Sequence, residues 1–384
     1  MSKVGFRIAL LVVLLMSVFG FTLNAMAQSA KADIAVLLPD SKSSARWEND
    51  DRKFLSAAFD AAGVTYSIVN AEGDAATQQT HAEQAITNGA KVILLVDLDS
   101  GSGATIIGEG HAAGAKVIDY DRLTLFTTAD SSDAYVSFDG VAVGKVQGQG
   151  LIDAVKAAQA AGTLKGDVNV GILNGSPTDN NATLFSQGAH EILDPLFKDS
   201  TSGWKNVAEQ SVTNWDNQVA LTDFTQMVTA NPQINAALAA NDGLAQAVIT
   251  ERQNDNLPFI PVTGQDATVG GIQNVLAGRQ SMTVYKGIKA EAEAAASLAI
   301  AYVKGTDTAS LTTSTINNGQ KDEPALLLTP IGVTKDNVAS TVIADGFRTW
   351  AEVCVGEFAQ FCPADAMMTP EATGMMTPEA TASS

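Results

Sequence analysis

From residue 33 onward, short apolar runs alternate with amphipathic stretches of helical length, and this alternation sets the expected elements. Segments 34–38, 66–69, 92–96, 117–120, 134–137, 168–173, 235–239, 259–263 and 282–285 read as buried strands, being short, mainly apolar runs. Between them, 45–62, 77–88, 103–113, 141–161, 182–196, 219–230, 243–254 and 269–277 carry helical periodicity. Gly63, Gly89 and Gly114 each follow a helical run and precede a strand, where a left-handed residue closes a helix. Strand and helix in steady alternation predict parallel sheets with helices on both faces, joined by right-handed crossovers. The chain length suits two such α/β lobes.

Composition narrows the possibilities. Of 384 residues, 46% are hydrophobic and 17% charged, enough to fill globular cores and to exclude wholesale disorder. The net charge of -19 repels polyanions, so nucleic acid is excluded as an expected partner. Two cysteines, Cys354 and Cys362, make neither a disulfide scaffold nor a zinc site.

Lys3 and Arg7, the apolar run 8–21 and Ala25-Met26-Ala27 have the order of a secretory signal peptide cleaved after residue 27. A membrane anchor is the alternative, but the run falls short of the roughly 20 residues a spanning helix needs. No cysteine follows the run to accept a lipid, so the expectation is a free protein, periplasmic or extracellular. There Cys354 and Cys362 either pair with each other or stay as thiols. Residues 351–384 form a C-terminal extension; its last part repeats Met-Met-Thr-Pro-Glu-Ala-Thr and is expected to be disordered after 366.

Enzyme signatures fail when checked. Gly140 to Lys145 is one residue short of a phosphate-binding loop, and Gly148-Gln149-Gly150 has Asp153 where a third glycine belongs. His81, His111 and His190 form no metal-binding pair, and no nucleophile elbow is present. No catalytic residue, cofactor or metal is therefore expected. The informative polar residues stand where the apolar runs end: Arg46-Trp47, Asp121-Arg122, the stretch 177–181, Asn241-Asp242, Gln265-Asp266 and Lys286. In open α/β sheets ligands bind outside the carboxyl ends of the strands, and two facing lobes bring both sets into one cleft. Arg and Lys donate, Asp accepts, Asn does both and Trp offers an apolar face, which together suit sugar hydroxyls and the C–H face of a pyranose. Capping of helices is the structural alternative for any one of these residues.

Arg46-Trp47, Tyr120-Asp121-Arg122, Ser137-Phe138-Asp139, the stretch 175–182, Asn241-Asp242, 264–267, 282–286, Asn317-Asn318-Gly319 and Lys321-Asp322 together resemble the type I periplasmic sugar-binding proteins of ABC importers. The resemblance covers about residues 33–348 and is nearest to the xylose-binding branch. It implies two doubly wound parallel-sheet lobes joined by three crossovers, near 138–140, 286–288 and 315–318, with the ligand cleft between them. The lobes would comprise 33–138 with 288–315, and 140–286 with 318–350. It further implies a monomer that closes on a monosaccharide, xylose first, and passes it to a permease, its sole contact with a membrane. Carried over by residue, Arg46, Asp121, Arg122, Asn180, Asn181, Asn241, Asp266 and Lys286 would bind the sugar, and Trp47 and Trp215 would sandwich it. A sugar-sensing receptor, a different pentose or hexose, and an enzyme using Asp121 or Asp266 are the competing readings.

Overall fold

The computed structural model describes residues 31–42, 44–125 and 131–364. The expected signal segment 1–27 and the tail after 366 lie outside the described residues.

The first lobe is built on a seven-stranded sheet. Its strands are β1 (Ile34–Leu38), β2 (Tyr66–Asn70), β3 (Val92–Leu95), β4 (Lys116–Tyr120), β5 (Ala134–Phe138), β10 (Ser314–Asn317) and β11 (Asp322–Leu328), in the order β10-β11-β5-β4-β3-β1-β2. All neighbours are parallel except the β10–β11 hairpin. Side chains alternate across a strand, so β1 sends Ile34, Val36 and Leu38 to one face and Leu37 to the other. The first face packs on α1 (Arg52–Ala62) through Leu55 and Phe59, and on the alanine-rich α9 (Ile288–Lys304). The second face packs on α2 (Ala75–Thr87) and α3 (Ser100–Ala112) through Ala82, Ile106 and Ile107. Both faces are covered, as a parallel sheet requires.

The second lobe centres on the parallel strands β6 (Val168–Asn174), β7 (Trp204–Ser211) and β8 (Ala236–Ala239), ordered β7-β6-β8. A single parallel bridge from Ala237 to Val262 extends this sheet. Beyond it, β9 (Thr283–Tyr285) pairs antiparallel with β12 (Ile331–Val333). Helices α4 (Gly140–Ala160) and α5 (Asn180–Lys198) cross at backbone contact: a Cβ on Gly144 would stand 1.9 Å from the Phe185 carbonyl, and one on Gly188 2.0 Å from that of Val141. The glycines therefore fix the position of α5, which carries part of the cleft. The remaining helices of this lobe are α6 (Asn217–Ala230), α7 (Asp242–Asn254) and α8 (Val269–Leu276).

Several expectations are corrected. The third passage between lobes falls between Leu328 and Ile331, not near 315–318, because β10 and β11 both belong to the first sheet. Residues 318–328 thus leave the lobe to which the sequence reading gave them. The strand expected at 259–263 is reduced to the Val262 bridge. The helix expected over 45–62 opens with a wide π turn, Trp47–Asp51, before α1 begins at Arg52. The extension after Trp350 is structured as far as Ala364: Val353 is fully buried beside α8, and Cys354 and Cys362 are bonded, with Cα atoms 6.0 Å apart. No helix among the described residues is long and apolar enough to cross a membrane.

Candidate functional site

The carboxyl ends of the strands of both lobes meet at one cleft, lined by Arg46, Trp47, Asp121, Arg122, Asn181, Trp215, Asn241, Asp266 and Lys286 together with Ser44, Asp179, Phe185 and Gln265. Asn180, also expected there, is not among the lining residues. It is the first residue of α5, whereas Asn181 and Phe185 are four apart and share one helix face.

The first-lobe face is organised by Arg46. Its guanidinium donates from Nε and Nη2 to the two oxygens of Asp51, each at 2.8 Å, from Nη1 to Asp121 at 2.7 Å and from Nη2 to Glu291 at 2.6 Å. The π turn makes this possible, since its wide winding brings Asp51 onto the same face as Arg46, the residue that caps it, five positions earlier, with both side chains buried. Tyr120 adds a hydrogen bond to Asp51 at 2.5 Å. Burial works against the Arg46 charge, yet Asp51, Glu291 and Asp121 outweigh it and raise its pKa further above the ordinary value. Arg46 also lies over the Trp47 ring, 4.4 Å from its centroid, and Arg122 lies 5.7 Å from the same ring.

Asp121 sits just past β4 with φ of 64°, a left-handed conformation that aspartate tolerates. Its carbonyl accepts from Tyr135, Ser137 and Asn181, each at 2.9 Å, which holds the turn in place. Burial opposes its charge, but Lys286, Arg46 and Arg122 together hold the carboxyl below the usual range. Glu291 goes the other way: burial, only partly offset by Arg46, pushes it up.

The second-lobe face is looser. Lys286, just past β9, has Nζ 3.5 Å from Asp266 and 3.6 Å from Asp121, and lies 5.6 Å from the Phe185 ring centroid. Asp266 has φ of 92° and accepts a 3.4 Å contact from Gln265. Asn241 caps α7 with its Oδ1 at 2.9 Å from the Leu244 amide, leaving its Nδ2 without a hydrogen-bond partner among the described residues. Trp215 also carries a positive φ, 54°, rare for a bulky residue, and its indole donates to Asp179 at 3.1 Å. A Cβ on Gly175 would stand 2.1 Å from that ring, so only glycine lets the indole lie there.

Among the described residues three polar contacts join the lobes across the cleft: Asn181 to Asp121, Arg122 to Asp179 at 3.2 Å, and Lys286 to Asp121. A fourth lies outside the cleft, where Arg348 forks onto Asp50 at 2.9 and 3.0 Å and donates to the Ala267 carbonyl. The lobes are thus drawn together. Asp242, paired with Asn241 in the sequence, lies behind the cleft wall and ties Thr268, Gln280 and Thr283 together. No group of His, Cys, Asp or Glu among the described residues is arranged to hold a metal ion.

Asp179, Gln265, Ser44 and Phe185 were absent from the expected site set. The first two stand inside motifs already noted, and the helix period from Asn181 to Phe185 is a signal for the fourth. Glu291 carries no motif signal at all.

Residues 34–307 match the model of a periplasmic binding protein domain. This chain belongs to the periplasmic binding protein family. Among its relatives within that family, the D-xylose-binding periplasmic protein of Escherichia coli is 34% identical over 86% of this chain and 95% of its own. The multiple sugar-binding periplasmic protein SbpA of Azospirillum brasilense is 31% identical over 84% of this chain and 91% of its own. A carbohydrate transporter solute-binding protein from Chloroflexus aurantiacus, solved in complex with D-glucose, superposes with a TM-score of 0.73 at 29% identity, covering 84% and 98% of the two chains. The periplasmic binding protein fold, with its paired α/β lobes, is the one described above.

Chemically, the cleft offers donors and acceptors in alternation between two indoles, and no nucleophile with an adjacent base.

Proposed function

We propose that this periplasmic binding protein captures one neutral monosaccharide, D-xylose first, and delivers it to the permease of an ABC importer. The observation that carries the reading is the set of buried donors and acceptors drawn from both lobes that line one cleft together with Trp47 and Trp215. Arg46, Asp121, Arg122, Asn181, Asn241, Asp266 and Lys286 would bond the hydroxyls, and the two indoles would cover the C–H faces of the ring. In the lining Asp121, Asp179 and Asp266 balance Arg46, Arg122 and Lys286, and no excess cation awaits an anionic or phosphorylated ligand, which is disfavoured against a neutral one. A ligand that touches both lobes stabilises only the arrangement in which they meet, so capture proceeds by closure. The two bodies that move are 33–138 with 288–328, and 140–286 with 331–350. The protein acts as a monomer outside the cytoplasmic membrane after loss of residues 1–27.

The test is isothermal titration of residues 28–384 with D-xylose, D-glucose, D-ribose and L-arabinose. One-to-one binding with xylose tightest supports the reading. Because a solved relative holds D-glucose, the second reading is a hexose receptor, and tighter glucose binding would select it. Binding of none of the sugars would overturn the monosaccharide reading.

A further inference from the structure

Glu291 is a buried acid for which sugar binding by the residues around it supplies no role. It lies on the first turn of α9, three residues past Ile288, directly after the second passage between lobes, and its amide donates to the Gly287 carbonyl at 3.1 Å. Its Oε2 takes the 2.6 Å bond from Arg46, while its Oε1 is buried with no hydrogen-bond partner. An unpartnered carboxylate oxygen in a buried site is costly, and a proton on the group removes its charge.

We infer that Glu291 is the positioning residue for Arg46, and that closure of the lobes on a sugar takes up a proton onto its carboxyl group. The inference rests on the monosaccharide reading. The groups that face Glu291 come from each element packed around it: Arg46 and Asp51 from the π turn, Tyr120 and Asp121 from the end of β4, Tyr135 from β5, and Lys286 from the passage itself. Arg46 is one cation shared by three carboxylates, and Asp121 has Lys286 and Arg122 besides, so the proton belongs on Glu291 rather than Asp121. Lobe opening admits water to the Arg46 cluster and relieves the burial that is the leading cause of the shift; withdrawal of the Lys286 cation, which favours the ionised carboxyl, acts the other way and is the weaker influence. Glu291 then returns toward an ordinary carboxyl, and the charged form is tolerated.

The sign follows by linkage. The closed form holds the proton more tightly than the open form, so the closed form is favoured at low pH, and sugar affinity falls as pH rises above the ordinary glutamate range near 4.5 toward the raised value. Asp121, held low, stays ionised through this window and contributes no slope there.

The experiment is titration with D-xylose at about pH 6, 7 and 8, each in two buffers of different ionisation enthalpy, on the wild type and on Glu291→Gln. The expected result is uptake approaching one proton per sugar, with Kd rising up to about tenfold per pH unit in the wild type. Glu291→Gln keeps the side-chain length and cannot take up a proton, so it should bind with an affinity that no longer changes with pH and with no uptake. Sugar binding in the wild type with no buffer dependence and a flat pH profile would overturn the inference and leave the monosaccharide reading standing. Uptake that persists in Glu291→Gln would also overturn it, placing the proton elsewhere. Binding of no sugar at any pH would overturn both.

Discussion

The two faces of the cleft hold their polar groups in opposite ways. On the first lobe, Arg46 is locked by bonds of 2.6–2.8 Å to Asp51, Asp121 and Glu291, and Asp121 is pinned through its own carbonyl. On the second, Lys286 stands at 3.5 and 3.6 Å from its nearest carboxylates, and the Asn241 amide nitrogen is unpaired among the described residues. The difference teaches where binding energy can come from. A ligand hydroxyl gains little by joining a network already satisfied, and more by completing one that is not. The first face sets shape, and the second face supplies the incremental attraction that favours closure. First-lobe substitutions should therefore damage the fold and binding together, whereas second-lobe ones should damage binding alone.

Arg46→Met puts the greatest strain on that distinction. It strips the cation from three buried carboxylates, and stability to denaturant should fall by about 3–5 kcal/mol, with sugar binding lost. A fall below about 1 kcal/mol would mean that the cluster relaxes freely and is no scaffold. Asp266→Ala is the counterpart on the other lobe. Affinity should drop by about 2–4 kcal/mol in titration calorimetry, while the unfolding midpoint of the sugar-free protein hardly moves. Equal losses of stability in the two variants would erase the contrast.

These residues also mark how far the sequence could be read. The buried strands announced themselves as apolar runs, the chemistry at their carboxyl ends pointed to Arg46, Trp47, Asp121, Arg122, Asn181, Asn241, Asp266 and Lys286, all of which line the cleft, and Trp215 came with the family resemblance. What stayed hidden has physical reasons. Strand β7 (Trp204–Ser211) is an edge strand, half-buried or exposed along its length, so it lacks the apolar run that marks its neighbours. The β10–β11 hairpin belongs to a sheet whose other strands lie far away in sequence, and no local pattern reveals that pairing. Glu291 on an alanine-rich helix looks like any solvent-facing glutamate until Arg46 arrives from 245 residues away.

Gly175→Ala probes the second face without touching its charges. The added methyl would stand 2.1 Å from the Trp215 ring, closer than any real contact, so the indole or the strand end must move. Overpacking of this kind costs about 1–3 kcal/mol, and here the displaced group is a proposed stacking platform. Xylose affinity should weaken roughly tenfold, with a change in tryptophan emission and a loss of stability within that range. Unchanged affinity would remove Trp215 from the ligand set and leave the loop 213–216 as a structural corner.

The smallest expected effect distinguishes the two lobes by proton binding rather than by geometry. In the first lobe burial pushes Asp97 and Glu323 each up to about 7; in the second, Asp242 reaches about 6, burial being opposed there by hydrogen bonds from Gln280, Thr283 and Thr268. A carboxyl raised on folding stabilises the fold fully below its unfolded value, and the contribution is lost as pH climbs through the folded value. The Asp242 contribution is spent by about pH 7, so the further fall in unfolding temperature between about pH 7 and 8 belongs to the first lobe. Glu323→Gln should recover part of it, about 0.3 kcal/mol over that pH unit, and reduce the slope there. Asp242→Asn should leave the slope between those pH values untouched. If Asp242→Asn flattened it instead, the acid stored in the second lobe would govern the alkaline limb, and the ranking of the two lobes would reverse.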